Sequence, residues 1–136
     1  MNMKKISIIL VILWMVLIFY FSSMNGVVST SQSEGLVSML AKLINYTGDI
    51  NTLRFIVRKC AHIGEYFILG ILVYNMFKYH DVKNIVIISI LICIIYACTD
   101  EIHQLFISDR TGKLIDVFID SLGSILGIYS IRVLRK

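Results

Sequence analysis

Four long apolar blocks divide the chain, and polar residues interrupt three of them near one end. The first block runs from Ile6 to Phe21, behind Lys4 and Lys5, and gives way to Ser22-Ser23-Met24-Asn25-Gly26. Some 18 to 20 residues at roughly 1.5 Å rise reach ~30 Å, the thickness of a bilayer's hydrocarbon core, so the block predicts a spanning helix over about 5–23. It is longer than a usual signal-peptide core and no Ala-x-Ala site follows, which favours a retained helix. The second block, about 55–77, is broken early by Arg58, Lys59, His62 and Glu65. The third, about 85–107, carries Asp100, Glu101, His103 and Gln104 near its end, and the fourth, about 114–134, carries Asp116 and Asp120 near its start. Between Asn25 and Thr52 loop-type residues prevail, yet Leu36, Val37, Leu40, Leu43 and Ile44 fall at helical spacing behind Ser33 as an N-cap. That segment predicts a short amphipathic helix on the membrane surface. The fold expected is all-α: a transmembrane four-helix bundle, one domain over 1–136, with a short extracytoplasmic amphipathic helix between spans 1 and 2.

Composition sharpens this. A hydrophobic share of 57% with only 16% charged residues, and a mean hydropathy of +0.81, exclude a small soluble domain, which needs about a quarter charged residues to cover its surface. The net charge of +4 does not gather into a patch, so no nucleic-acid partner is expected. The basic residues sit instead at block ends. Lys4 and Lys5, Lys78 and Lys83, and Arg132, Arg135 and Lys136 share one side of a four-span chain, which predicts cytoplasmic N- and C-termini in a multi-pass membrane protein. Lys42, Arg54, Arg58, Lys59, Arg110 and Lys113 fall on the other side, so the orientation leans on the first lysines and the tail. Cys60, Cys93 and Cys98 form no CxxC motif and read as unpaired, small apolar fillers.

Alternating helix direction decides where the chemistry lies. Spans two and four begin, and span three ends, on the outer side, so Arg58, Lys59, His62, Glu65, Asp100, Glu101, Gln104, Arg110, Asp116 and Asp120 converge on one face. Ionisable groups within a membrane cost roughly 2.5 to 3.5 kcal/mol each on insertion scales and usually pair inside a bundle or cavity. Spacings of three and four residues put Lys59, His62 and Glu65 on one helix face, Asp100 with Gln104 on another, and Asp116 with Asp120 on a third. Gly123 and Gly127 suit close helix packing, as do Gly64 and Gly70. Paired carboxylates with a histidine suit acid and base work, with His62, Glu65 and Glu101 as candidates, but no nucleophile elbow is present. Asp100 with His103, and His62 with Glu65, echo carboxylate and histidine sites of helical bundles; HExxH is absent, and no metal and no cofactor are expected. Two accounts of the cluster stay open. It is a set of structural ion pairs, or it is a cavity at the outer surface that binds or converts a ligand. Five carboxylates against Arg58, Lys59 and Arg110 weigh toward the cavity.

Lys59-x-x-His62-x-x-Glu65-Tyr66-x-x-Leu69-Gly70, then Asp100-Glu101-x-x-Gln104-x-Phe106, Arg110, and Asp116 to Gly123 and Gly127, in that order, resemble the VanZ-like family of small bacterial membrane proteins. Ser22-Ser23-x-x-Gly26 is similar too, so the resemblance covers most of the chain. It implies a polytopic membrane protein linked to lowered susceptibility to the glycopeptide teicoplanin. Two positions depart from the family's pattern: Asp120 stands where Asn is frequent, and Ser108-Asp109 where Pro-Gly often precedes the arginine. The function expected is binding of a polar or lipid head group, of an envelope lipid or a lipid-tailed glycopeptide, by Lys59, His62, Glu65, Asp100, Glu101, Gln104, Arg110, Asp116 and Asp120. The alternatives are a membrane enzyme acting on an envelope lipid by acid and base chemistry, and a structural or assembly protein. Membrane lipids are the expected partners.

Overall fold

The computed structural model describes residues 2–24, 26–108 and 112–135, and for 26–30, 32 and 33 the backbone alone. Among these residues the chain forms five α-helices and no strand: α1 (Met3–Ser22), α2 (Gly26–Leu43), α3 (Ile50–Tyr79), α4 (Ile85–Gln104) and α5 (Leu114–Leu134). Three of them, α1, α4 and α5, are long and apolar enough to cross a membrane. Each exposes large apolar side chains at helical spacing, such as Ile87, Leu91 and Ile95 on α4 and Phe118, Leu122, Leu126 and Val133 on α5. In water such faces would demand a covering partner, whereas hydrocarbon leaves them stable as they stand. Three helices of this kind point to a multi-pass membrane protein.

The expected span over 55–77 falls inside α3, a longer helix of mixed character with 30 residues, about 45 Å from end to end. It starts at Ile50 because Asp49 caps it, accepting the backbone N–H groups of Asn51 and Thr52 at 3.2 Å each. Length and composition thus single out three spans, and α3 is not one of them. The amphipathic helix is longer than its pattern suggested. α2 has 18 residues and begins at Gly26, so Ser33 lies within it rather than at its start. The Ser- and Thr-rich stretch before Ser33 has no apolar periodicity, but nothing in it forbids a helix. α4 stops at Gln104, short of Ile107, as the N–H groups of Leu105, Phe106 and Ile107 turn to the carbonyls three residues back.

α3 packs against each of the other four helices, most extensively against α5. Glycines make that contact possible. A methyl added at Gly123 would stand 2.6 Å from the carbonyl oxygen of Ile63, and one at Gly127 or Gly70 would press still closer on the backbone of Phe67 or Ser124. Gly64 differs, because a methyl there would meet nothing within 4 Å, so its expected packing role falls away. Val11 and Ile18 of α1, Tyr66, Leu69 and Val73 of α3, and Cys93 and Ala97 of α4 make the core. Two polar side chains pin α1 to it: Trp14 Nε1–H donates to the Glu65 carbonyl at 2.9 Å, and the Tyr96 hydroxyl donates to the Met15 carbonyl at 2.6 Å. All three cysteines are free.

The two ends of the packed helices differ. At one, the His80 ring lies 3.3 Å from the Lys4 carbonyl, Lys78 Nζ donates to the Arg135 carbonyl at 3.5 Å, and the Arg135 guanidinium stands over Tyr79. This is the basic end. At the other, the close of α4, the start of α5 and the first half of α3 bring the carboxylates together.

Candidate functional site

On α4, residues four apart share a face, and Gln104 Nε2 donates to Asp100 Oδ2 at 3.2 Å. Polar as they are, Asp100, Glu101 and Gln104 are only 2%, 6% and 5% exposed. The same spacing on α5 turns Asp116 and Asp120 toward α3. Asp116 forms an ion pair with Lys59, and Asp120, 1% exposed, lies with Oδ1 3.9 Å from His62 Nδ1. His62 Nδ1 is equally 3.9 Å from Glu65 Oε2, so the ring stands between a carboxylate of its own helix and one of α5.

Glu101 is held from outside its helix. The backbone N–H of Lys113, the residue before α5, donates to Glu101 Oε2 at 2.7 Å. This requires the chain to pass tightly over the end of α4, where a methyl on Gly112 would lie 2.5 Å from the Glu101 carbonyl oxygen. Beside this contact opens a cavity of about 280 Å³, with Cys98, Ile102, Leu105, Leu114 and Val117 as its apolar wall and Glu101 and Lys113 as its polar edge. Glu101 therefore belongs both to the polar cluster and to an apolar cleft.

The carboxylates act on one another. Glu65, Asp100, Glu101 and Asp116 all lie within electrostatic reach of Asp120, and Asp100, Asp116 and Lys59 within reach of Glu101. Neither carboxylate oxygen of Asp120 meets a hydrogen-bond donor among the described residues. Nor does the hydroxyl of Tyr66, which is fully buried within reach of Asp100, Asp120 and Glu101, have a hydrogen-bond partner among them. An arrangement so rich in acceptors can receive hydrogen bonds from a donor-bearing group.

Lys59, His62, Glu65, Asp100, Glu101, Gln104, Asp116 and Asp120 thus come together at this end. Arg110 lies outside the described residues. Arg58, expected among the neutralising bases, is exposed and makes no ion pair among the described residues. His103 departs from the imagined carboxylate and histidine set, its ring stacking on Phe19 with centroids 4.2 Å apart. Among the described residues no three His, Cys, Asp or Glu side chains are placed to hold a metal ion. Sequence reasoning missed Tyr66 as a member, although it stands four residues after His62 on the same helix face. It also missed the Lys113 amide, for which no side-chain pattern exists.

No curated protein and no solved structure matches the chain. The VanZ/LLP1 family model matches residues 7–135, from the first turns of α1 to the end of α5, and the chain belongs to that family.

Proposed function

We propose that this chain is a four-span integral membrane protein of the bacterial cell membrane, one transmembrane domain, whose carboxylate-rich cluster opens at the outer face and binds a polar head group. The ligand is an envelope lipid or a lipid-tailed glycopeptide, and through it the protein lowers susceptibility to teicoplanin. One observation carries the binding reading: Asp100, Glu101, Gln104 and Asp120 are all more than nine-tenths buried in a single cluster that borders an apolar cleft. Polar groups buried merely to hold helices together are replaceable by apolar ones at little cost, whereas a ligand's head group requires them.

The fourth span is α3, with about Cys60 to Tyr79 at membrane depth and the polar first turns of the helix beside α2. An even number of spans leaves both termini on one side. Contacts among Lys4, Lys78, His80 and Arg135 support a common basic end, which the bias of basic residues assigns to the cytoplasm.

The test expresses the chain, or its Glu101→Gln variant, in a teicoplanin-sensitive Gram-positive host, with membrane levels of both followed by a tag. A rise in tolerance that Glu101→Gln abolishes at equal protein level supports the proposal. No rise removes the antibiotic part and turns attention to native envelope lipids. A second reading, an enzyme acting on an envelope lipid with Glu65 or Glu101 as base and His62 as acid, is favoured by the place of His62 at 3.9 Å from two carboxylates. It requires product from labelled lipid substrates, and its absence across a broad panel would remove it. A purely structural role predicts instead that Glu65→Gln lowers the amount of folded protein.

A further inference from the structure

Asp120 is the most deeply placed carboxylate of the cluster, and its surroundings are unusual for a buried carboxyl group. Its two oxygens meet no hydrogen-bond donor among the described residues. The groups that act on it most strongly are the four other carboxylates, from α3, α4 and α5. Among the described residues the nearest group able to carry positive charge is His62, 3.9 Å away and beyond hydrogen-bond distance. Lys59 is engaged by Asp116, the Trp14 and Tyr96 donors are spent on backbone carbonyls, and the Tyr66 hydroxyl, though within reach of Asp120, makes no hydrogen bond among the described residues. A buried acceptor without a donor is costly, by about 1 to 3 kcal/mol and more for a charged group, so the site favours a ligand that brings donors of its own.

The remaining features narrow the class of ligand. An anionic head group alone would be repelled by Glu65, Asp100, Glu101, Asp116 and Asp120. A primary ammonium brings positive charge and three donors, which suits several acceptor oxygens at once. The Lys59 ammonium also has three N–H donors, so those not taken by Asp116 can meet a phosphate on the same molecule. Next to Glu101 lies the apolar cleft, its wall including Ile102, Leu105 and Leu114, which are themselves exposed toward the surroundings of the helices. Ammonium, phosphate and hydrocarbon in that order describe one kind of molecule.

We propose that the cluster and its cleft bind a zwitterionic amino-lipid, its ammonium held by Asp120 and neighbouring carboxylates, its phosphate near Lys59 and one hydrocarbon chain in the cleft lined by Ile102, Leu105 and Val117. This rests on the head-group reading and adds to it the charge of the head group.

The experiment purifies the full chain in mild detergent and exposes it to equal amounts of phosphatidylethanolamine and phosphatidylglycerol with identical chains. Native mass spectrometry then counts the lipids retained. The wild type retains phosphatidylethanolamine over phosphatidylglycerol by about tenfold, as expected for one charge-assisted hydrogen-bond set. N-acetyl-phosphatidylethanolamine, which lacks the ammonium, is retained no better than phosphatidylglycerol. Soluble phosphoethanolamine does not displace the lipid, because it cannot fill the cleft. Asp120→Asn, close to isosteric, brings the two lipids to parity while still retaining both. Equal retention by the wild type, or preference for phosphatidylglycerol, overturns the inference and leaves head-group binding standing; no retention of any lipid removes both. Persistence of the preference in folded Asp120→Asn overturns the assignment of the acceptor. If that variant does not fold, the wild type's response to N-acetylation decides alone.

Discussion

At the end of the helices that holds Lys4, Lys78, His80 and Arg135, the basic side chains are exposed or half-buried; Lys78 and His80 meet backbone carbonyls, and Arg135 meets an aromatic ring. At the opposite end Asp100, Glu101 and Asp120 are almost wholly buried and face other carboxylates. The difference follows partly from side-chain length. Lysine and arginine carry their charge on long stems that reach water from the end of a helix, so a basic end needs no particular partner. Aspartate has one methylene and stays where the backbone puts it. The acidic end has therefore to be built, by glycine contacts between α3 and α5, by the turn that lays Lys113 N–H on Glu101, and by the Lys59–Asp116 pair. The basic end has only to be anchored.

The sharpest way to break the contrast is to push apart the two helices that carry the acidic end. Gly127→Val places methyls against the Phe67 backbone, which cannot move out of the way, and should cost about 3 kcal/mol or more. The yield of monodisperse protein in detergent should collapse. Gly64→Ala, in open space on the same α3, should be neutral or gain up to ~1 kcal/mol from the helix backbone alone. Equal losses for the two would show that the contact between α3 and α5 is not what sets the site.

Next in size is the ion pair. Lys59→Met leaves Asp116 without its cation and should lower stability by about 2 to 3 kcal/mol, whereas Lys59→Met with Asp116→Leu should recover most of the loss. Thermal unfolding in one detergent, read as a double-mutant cycle, measures this. Additive losses would show that the two residues do not act as a pair. At the basic end, Lys78→Gln or Arg135→Gln should change the same midpoint by less than the equivalent of ~0.5 kcal/mol, because these contacts are exposed. A larger loss there would erase the distinction between the ends.

The smallest effect concerns Asp49, at the first turn of α3. Hydrogen bonds from the Asn51 amide and from Thr52 hold its carboxyl below the ordinary aspartate range. A depressed carboxyl stabilises the fold at pH values above its unfolded pKa and loses that contribution as pH falls through the folded value. The amide resonances of Asn51 and Thr52 should titrate together, with a midpoint below that of an unstructured aspartate. A midpoint within the ordinary range would show that the cap does not hold in solution.

The sequence made the helices α1, α4 and α5 visible, because apolar runs of that length need no partner segment to be recognised. The start of α3 was hidden, since Asp49-Ile50-Asn51-Thr52 looks like loop and becomes helix through a cap that only geometry reveals. The start of α2 was hidden for another reason: Gly26 to Ser33 has no apolar stripe, and intrinsic propensity is too weak to announce a helix by itself. Within the site, spacings of three and four residues found Lys59, His62 and Glu65, Asp100 and Gln104, and Asp116 and Asp120, because periodicity decides which face a side chain takes. They did not separate His103, which turns to Phe19, from its neighbours on the same helix end, and they could not indicate the Lys113 amide. Contacts through backbone atoms leave no mark in side-chain chemistry.

The length of α3 has a consequence for the membrane itself. At about 45 Å it outreaches a ~30 Å hydrocarbon layer by roughly a third of its length, while α1, α4 and α5 match that layer closely. On the four-span reading, the surplus is the polar segment from Ile50 to about Lys59, with α2 fastened beside it by Arg54 and Glu34 at 3.5 Å. Bilayer thickness then sets how far that mast stands above the lipid. A thicker layer would draw Lys59 and His62 deeper toward hydrocarbon, and a thinner one would lift them toward water or tilt the helix to compensate. On that reading the depth of the acidic end depends on the acyl-chain length of the host membrane as well as on the protein.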